Sequence, residues 1–149
     1  ERTYLTGGTS GSALADTRYG PVGIYACMDG VTFETPRTFA VRGARLLLNS
    51  LNSFALDEAA LHIPVRAVEN GVFVVAANRC GDENGRSHIG QSMIVNPVGA
   101  EIMAQGGRDE PVLLVETLDL DDVSAAQKSL PWWRDRRPDL YATLSDARI

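Results

Sequence analysis

The sequence has only one lysine, Lys128, two cysteines and two histidines among its 149 residues. The two histidines lie far apart and no cysteine stands at metal-ligand spacing from either, so we predict neither a metal site nor another cofactor. Cys27 and Cys80 are too few to form a framework of disulfides. Unpaired cysteines favour a reducing compartment, and we expect the protein to be cytoplasmic.

Long apolar runs and an excess of positive charge are also missing. The longest apolar segments, such as residues 71–77, are far too short to cross a bilayer. The formal net charge is −5, which argues against nucleic acids or anionic membranes as partners. One short basic stretch, residues 134–137 beside two tryptophans, is therefore interpreted as an anchor for the tail or a contact with another subunit.

What the sequence does contain is an alternation of apolar and amphipathic segments over the length of one domain. Segments typical of strands alternate with segments typical of helices, with strands at residues 22–26, 44–49 and 72–78 and helices at 34–42 and 57–69. Such connections require right-handed crossovers, which predict three parallel strands. The later pattern predicts a polar loop at residues 81–90, followed by an antiparallel hairpin at 91–105. A further strand is predicted at 111–118, a helix at 120–130 and an extended tail at 131–138. The predicted fold class is therefore α/β with a mixed sheet.

Local signals predict where the first two helices begin and end. Pro36 is tolerated in the first turn of the first helix, and Gly43 can end it. Asp57 is expected to cap the second helix, and Pro64 to bend that helix or mark an irregular turn within it. The second helix is therefore the less regular of the two.

Cys27 stands directly after the first predicted strand, where the chain reads Ala-Cys-Met-Asp-Gly. Reactive groups gather at the carboxyl ends of strands in α/β sheets, and the amides that follow, with that of Met28 first, can donate to an oxyanion. A free cysteine is also among the most buried residue types. From the residues alone, Cys27 is either a small core side chain or a nucleophile held at a strand end.

Four motifs in the expected order resemble the carbon–nitrogen hydrolase, or nitrilase, superfamily. Its nucleophile region has a strand ending in Cys-x-Asp, then a glutamate and an arginine at fixed spacing, then Gly-Ala and an apolar strand. The matching residues are Cys27, Asp29, Glu34, Arg37 and Gly43-Ala44. The other three segments are RAVENGVFVVAANRCG (66–81), GQSMIVNPVGAEI (90–102) and DRRPDLY (135–141). Together the motifs cover nearly the whole chain, which makes the match specific.

The resemblance implies part of an α-β-β-α sandwich and a reaction in which a cysteine thiolate attacks an amide, carbamoyl or nitrile carbon. The family places two glutamates and a lysine beside that cysteine. Cys27 matches the nucleophile, and Glu1 falls about where the second glutamate belongs. The loop after the second parallel strand matches a segment that lines the family's substrate pocket, which gives three candidate substrate-binding residues, Asn52, Ser53 and Phe54.

The family's general-base glutamate and its lysine lie before the segment that this chain matches. Lys128 lies beyond the last strand, which is the wrong place for the catalytic lysine. The resemblance therefore implies that residues 1–149 are the C-terminal portion of one hydrolase domain whose N-terminal portion is absent. We expect the isolated chain to be inactive, because the thiol would lack its proton acceptor. Family members usually associate, so a homo-oligomer is also expected.

The charged residues near Cys27 and on the helices are given structural interpretations. Asp29 is predicted to bond to the backbone of its own turn. Local ion pairs at helical spacing are predicted for Glu34 with Arg37 and for Arg66 with Glu69.

The two histidines and the second cysteine complete the set of candidate reactive groups. Packing roles are predicted for His62 and Cys80, and a substrate-facing role for His88 is not favoured. The predicted function is hydrolysis of a non-peptide C–N bond in a small amide, carbamoyl or nitrile substrate through a cysteine acyl-enzyme. The alternatives are a non-catalytic assembly module of the same fold and a redox-sensing cysteine protein.

Overall fold

The computed structural model describes residues 3–4, 6–8, 11 and 14–146. The strands in this part of the chain are β1 Leu14–Thr17, β2 Gly20–Ala26, β3 Leu46–Leu51, β4 Phe73–Asn78, β5 Cys80–Glu83, β6 Arg86–Ile89, β7 Met93–Val95 and β8 Ile102–Gln105. The α-helices are α1 Met28–Val31, α2 Glu34–Val41, α3 Ile63–Asn70, α4 Asp121–Ser129, α5 Pro131–Arg134 and α6 Ala142–Asp146. A π-helical turn, Glu58–His62, precedes α3, and a 3-10 turn, Pro138–Leu140, follows α5.

Six strands form one mixed sheet in the order β1-β2-β3-β4-β7-β8. Strands β2, β3 and β4 are parallel, while β1, β7 and β8 each run antiparallel to the strand beside them. The parallel strands are joined by helical connections, as the alternating pattern predicts, because parallel neighbours need a crossover. The predicted α/β class with a mixed sheet is confirmed. The predicted hairpin is also confirmed, as β7 and β8.

One face of the sheet is buried under α2 and α3. The side chains that alternate onto this face include Leu47 and Val74, which are both fully buried. They meet Phe39 from α2 and Ala67 from α3, which are also buried. Each helix places its apolar side chains on one stripe, and burial of that stripe against the sheet stabilises both elements.

The opposite face of the sheet is open toward its carboxyl edge. Ile24, Leu48 and Val75 are register partners on neighbouring strands and share this face. Ile24 is 55% exposed, whereas Leu47, one residue before Leu48, is 0% exposed on the covered face. A cavity of about 410 Å³ lies on this face, and Ile24 and Leu48 are among its lining residues. The apolar surface of the parallel strands is therefore only half covered.

The structure corrects three local predictions and contains one strand that the sequence pattern did not indicate. Residues 81–90 are not an irregular loop but the hairpin β5–β6, whose turn residues Asn84 and Gly85 both have positive φ, as two-residue hairpin turns require. Residues 111–118 form no strand; Leu113 there is 86% exposed. The tail is helical rather than extended, with Pro131 at the first position of α5, where proline is favoured. Strand β1 was not predicted.

The helix predicted at residues 57–69 is divided into two parts. Its first turn is π-helical, and α3 begins at Ile63, beside Pro64, so the predicted irregularity is confirmed. Asp57 stands at the N-cap position but makes no side-chain capping bond. Gly71 ends α3 with a left-handed conformation. None of the helices in the described parts of the chain is long and apolar enough to cross a membrane.

Candidate active site

Cys27 occupies a sharp turn between β2 and α1, at the carboxyl edge of the parallel strands. Its backbone has φ 45° and ψ −111°, which an L-residue rarely adopts. Such a conformation costs about 1–3 kcal/mol and persists only where the surrounding structure holds it. A strained turn from strand to helix lifts the side chain at its apex out of the sheet, as the turn that carries the nucleophilic serine of α/β-hydrolases does.

Backbone and side-chain hydrogen bonds fix this turn to the sheet. The Cys27 amide donates to the Ser50 carbonyl oxygen at 2.9 Å, and the Gly30 amide donates to the Cys27 carbonyl oxygen at 2.8 Å. Oδ2 of Asp29 accepts a bond from the Ala26 amide at 3.4 Å, which confirms the predicted backbone role of Asp29. The turn is thus tied to β2, to β3 and to itself.

Gly30 brings α1 into direct contact with the sheet. A Cβ at this position would lie 2.7 Å from the Tyr25 ring and 2.9 Å from Nδ2 of Asn49. Tyr25 and Asn49 face each other in the β2–β3 register, so both narrow the same space. Any larger residue would therefore push α1, and Cys27 with it, away from the sheet.

The side chain of Cys27 is half-buried and packs against the edge of the hydrophobic core. The next residue, Met28, is 63% exposed, and its amide is the first of α1, where helical amides have no intrahelical acceptor. Cys80, the other cysteine, is also free and half-buried. Within the described ranges, no group of three His, Cys, Asp or Glu side chains is placed to hold a metal ion.

Three buried polar atoms behind this turn have no hydrogen-bond partner among the described residues: the Tyr25 hydroxyl, Asn49 Oδ1 and Glu58 Oε1. Burial raises the pKa of Tyr25 well above its ordinary value, because it disfavours the phenolate; the positive charge of Arg66 opposes this effect, and Glu58 and Glu69 add to it. Sequence reasoning missed this group. The one signal was a glutamate, Glu58, next to the alanines of an apolar helical stretch.

We predict that Tyr25→Phe stabilises the chain at neutral pH by about 1 kcal/mol, because it removes a buried hydroxyl that lacks a partner. The gain should grow above pH 10. There the unfolded tyrosine ionises while the folded one, with its raised pKa, stays neutral, so wild-type stability is lost as the pH rises. Urea unfolding at pH 7 and pH 11 measures both effects. Tyr19→Phe is the matched control, since Tyr19 is 61% exposed; a gain equal to that of Tyr25→Phe would contradict the prediction.

The candidate substrate-binding residues follow β3 at the same edge of the sheet. Asn52 is exposed and Phe54 is 60% exposed, with the Arg86 guanidinium 5.6 Å from the centre of its ring. Ser53 is 4% exposed, and its Oγ accepts a bond from the Ala55 amide at 3.1 Å. Asn52 and Phe54 therefore face outward, whereas Ser53 is engaged inside its own loop.

Asn78, at the end of β4, organises the loops at this edge. Its Oδ1 accepts from the Ser53 amide at 3.0 Å, and its Nδ2 donates to the Gly90 carbonyl oxygen at 2.8 Å. Its own amide donates to Oγ of Ser92 at 2.9 Å. The sequence offered a signal that was not used, namely a polar side chain that ends an otherwise apolar strand.

Of the two predicted ion pairs, the structure contains one. Arg66 and Glu69 pair, with Nη1 2.8 Å from Oε1, so this prediction is confirmed. Glu34 and Arg37 do not pair: the Arg37 guanidinium lies 5.2 Å from the centre of the Trp133 ring instead. The arginine thus connects α2 to the C-terminal segment, because the aromatic face attracts the cation. The pKa of Arg37 is lowered, mainly because the group is partly buried.

The remaining candidates are dispersed. Glu1 lies outside the described residues. His62 lies 3.7 Å from the carboxylate of Asp57, and His88 is 8% exposed with Nδ1 unpartnered among the described residues. A cavity of about 700 Å³ lies between α2 and the C-terminal segment and is not lined by Cys27.

A family model for carbon-nitrogen hydrolase matches residues 1–128 of this sequence. The chain belongs to the carbon-nitrogen hydrolase family. It is 36% identical over 148 residues to a probable nitrilase of Schizosaccharomyces pombe, covering 97% of this chain and 53% of the relative. It is 32% identical over 161 residues to an N-carbamoylputrescine amidase of Solanum tuberosum, with coverage of 97% and 53%.

Among solved structures, this carbon-nitrogen hydrolase chain is similar to a mutant amidase from Nesterenkonia sp. AN1, with a TM-score of 0.80 and 28% identity. The match covers 96% of this chain and 51% of that one. That amidase carries the acetamide moiety of fluoroacetamide added covalently at its active-site cysteine. The likeness extends to the fold, which is of the nitrilase type, as the motifs imply. The chain spans about half the length of the relatives it matches.

Proposed function

We propose that this chain supplies the nucleophile of a hydrolase that cleaves amide or N-carbamoyl C–N bonds in small molecules. The observation that carries the proposal is the strained, fully braced turn that holds Cys27 at the carboxyl edge of the sheet. Membership of the carbon-nitrogen hydrolase family supports the same reaction class. A nitrile remains the alternative substrate class, since one of the similar proteins is a probable nitrilase.

In the proposed reaction, the Cys27 thiolate attacks the carbonyl carbon and forms a C–S bond. The electron pair of the carbonyl moves onto oxygen, and the Met28 amide is a donor for that oxyanion. Collapse breaks the C–N bond, and the amine leaves with a proton from a general acid. Water then attacks the thioester, which releases a carboxylic acid, or a carbamic acid from a carbamoyl substrate, and restores the thiol. Glu1 is proposed as the second glutamate beside the nucleophile.

A second polypeptide segment is proposed to complete the site. The family's general-base glutamate and lysine have no counterpart at a matching position in residues 1–149, and the chain covers 53% of each relative compared above. The open face of the sheet lies beside Cys27, and Ile24 on it is 55% exposed. We therefore expect a segment that carries this glutamate and lysine to pack on the open face. The isolated chain is expected to be inactive.

Asn52 and Phe54 are proposed to contact the substrate, because they lie at the edge that carries Cys27 and their side chains are exposed. Ser53 is proposed to act through its loop, since its polar atoms are already engaged there. Phe33, just before α2, Val41 in α2 and Trp132 in α5 are exposed apolar side chains, which supports a homo-oligomer. Two free cysteines support a reducing, cytoplasmic setting.

The experiment compares the 149-residue chain with the same chain joined to, or mixed with, a segment that carries the missing glutamate and lysine. Release of ammonia is measured from simple amides and from N-carbamoyl amines. The expected result is hydrolysis by the completed protein and none by the chain alone. Hydrolysis by the chain alone would contradict the need for a second segment. A completed, folded protein without any turnover would favour the non-catalytic assembly module.

A further inference from the structure

Arg66 is buried on α3, only 7% exposed, and it is directed toward the turn that carries Cys27. Its Nε donates to the Gly30 carbonyl oxygen at 2.9 Å, and its Nη2 donates to the Val31 carbonyl oxygen at 2.6 Å. These carbonyls belong to the last residues of α1. A single guanidinium therefore satisfies two carbonyls that a four-residue helix leaves without intrahelical partners.

Residues of α3 itself fix the position of Arg66. Nη1 of Arg66 lies 2.8 Å from Oε1 of Glu69, on the next turn of α3. The Arg66 carbonyl oxygen accepts a bond at 2.9 Å from Nδ2 of Asn70, which is fully buried. The planar guanidinium is paired with Glu69 on one side and donates two hydrogen bonds to backbone carbonyls on the other, so it has little freedom to move.

The bonds from Arg66 matter because the backbone at Cys27 is strained and needs contacts that hold it in place. The turn has a positive φ, so it would relax if it were released. The near end of the turn is held by the bond from the Cys27 amide to Ser50, and the middle by the contact of Gly30 with Tyr25 and Asn49. Within the described part of the chain, the far end, at Gly30 and Val31, is the part of the turn that depends on a side chain from another helix.

We propose that Arg66 is a positioning residue for the nucleophile, which keeps Cys27 in its strained conformation by fixing the end of α1 to α3. This inference rests on the proposed function, because it assumes that the position of the Cys27 sulfur matters to a reaction. Its structural part stands independently. Arg66 does not touch the thiol; it acts through the backbone of residues 28–31.

The first measurement is amide hydrogen exchange on the 149-residue chain. Arg66→Met should accelerate exchange at Gly30 and Thr32, whose amides donate to the carbonyls of Cys27 and Met28, by about tenfold or more. Amides of β3 and β4 should keep their rates. Arg66→Lys should give an intermediate acceleration, because one ammonium can reach one of the two carbonyls but cannot fork to both.

The matched control is Arg45→Met. Arg45 also joins two elements through its guanidinium, with bonds to the Leu120 carbonyl oxygen and to Asp121, but it lies just before β3 at the opposite edge of the sheet. This variant should leave the amides of Gly30 and Thr32 unchanged. If Arg66→Met accelerated all amides together, or accelerated neither Gly30 nor Thr32, the proposal would be overturned.

The second measurement uses the completed hydrolase. Arg66→Met should lower kcat by roughly 10- to 100-fold with KM nearly unchanged, since a small displacement of a nucleophile affects the chemical step more than binding. Arg66→Lys should recover part of kcat. An unchanged kcat in spite of faster exchange at Gly30 would overturn the positioning role. If the wild-type protein hydrolysed no substrate, the proposed function would fail, while the exchange data would still decide whether Arg66 holds the turn.

Discussion

Cys27→Ala is expected to abolish C–N hydrolysis by the completed protein, with a loss of about 10³-fold or more in kcat. The loss should be this large because alanine has no nucleophilic atom, so the C–S bond to the substrate cannot form. The substitution removes only Sγ from a half-buried position, and alanine can remain in the turn while the surrounding bonds persist. The free energy of unfolding should therefore change by about 1 kcal/mol or less. Ammonia release and urea unfolding are measured on the same preparation.

Cys80→Ala provides the matched control for the loss of a thiol. Cys80 is also free and half-buried, but it lies in β5, in the separate hairpin. Its replacement should leave kcat within about twofold of wild type, because it takes no part in the proposed reaction. Equal losses in the two variants would mean that a thiol matters for stability or redox state rather than for attack on the substrate.

Leu48→Asp is expected to prevent the completing segment from packing on the open face of the sheet. Leu48 shares that face with Ile24 and Val75, and a carboxylate in the centre of a sheet-to-sheet contact would be buried without a partner. Association and hydrolysis should both fall by about 100-fold or more, since desolvation of an unpaired charge costs several kcal/mol. Analytical ultracentrifugation of the chain with the segment measures the association.

Leu47→Ala, on the covered face of the sheet, is the control for Leu48→Asp on the open face. Leu47 is one residue away on the same strand but points to the covered face, where it is 0% exposed. Its truncation should destabilise the isolated chain by about 2–5 kcal/mol, whereas Leu48→Asp should cost the isolated chain only about 1 kcal/mol. If Leu48→Asp destabilised the isolated chain as much as Leu47→Ala does, the face would already be covered by this chain itself.

The parallel strands and their helices were predictable because their signals are local and strong. Residues 72–77 form a continuous apolar run, and the structure places β4 there, between the parallel strand β3 and the antiparallel strand β7. The irregular turn at Pro64 was predictable for the same reason, because proline removes a backbone donor and restricts the residue before it.

The mistakes arose where pairing depends on the rest of the fold. Strand β1 has no sequence pattern of its own and exists because it pairs with β2. The hairpin β5–β6 is polar and largely exposed, so periodicity did not indicate it, although Asn84-Gly85 is a strong hairpin signal. Residues 111–118 are apolar enough for a strand, but in this chain no described strand pairs with them.

In the candidate site, too, features with a local sequence signal were predictable, and features that depend on long-range contacts were not. Cys27 was predicted to be the nucleophile from its place after a strand together with the motifs that follow it. The long-range bonds of Arg66 to the carbonyls of Gly30 and Val31 were not predictable, because the helical spacing to Glu69 reveals only the local pair. Likewise, Glu34 and Arg37 have the spacing of a helical pair, but the aromatic face of Trp133 competes successfully for the arginine.

The central claim is that Cys27 forms a covalent bond to the acyl group of the substrate. The most direct measurement is mass spectrometry of the completed protein, quenched with acid during turnover of an amide, followed by peptide mapping. The predicted result is one acyl group, held as a thioester on the peptide that contains Cys27, and no acyl group on Cys80 or on the isolated chain. Hydrolysis with no acyl group on Cys27, or equal turnover by the Cys27→Ala variant, would contradict the account.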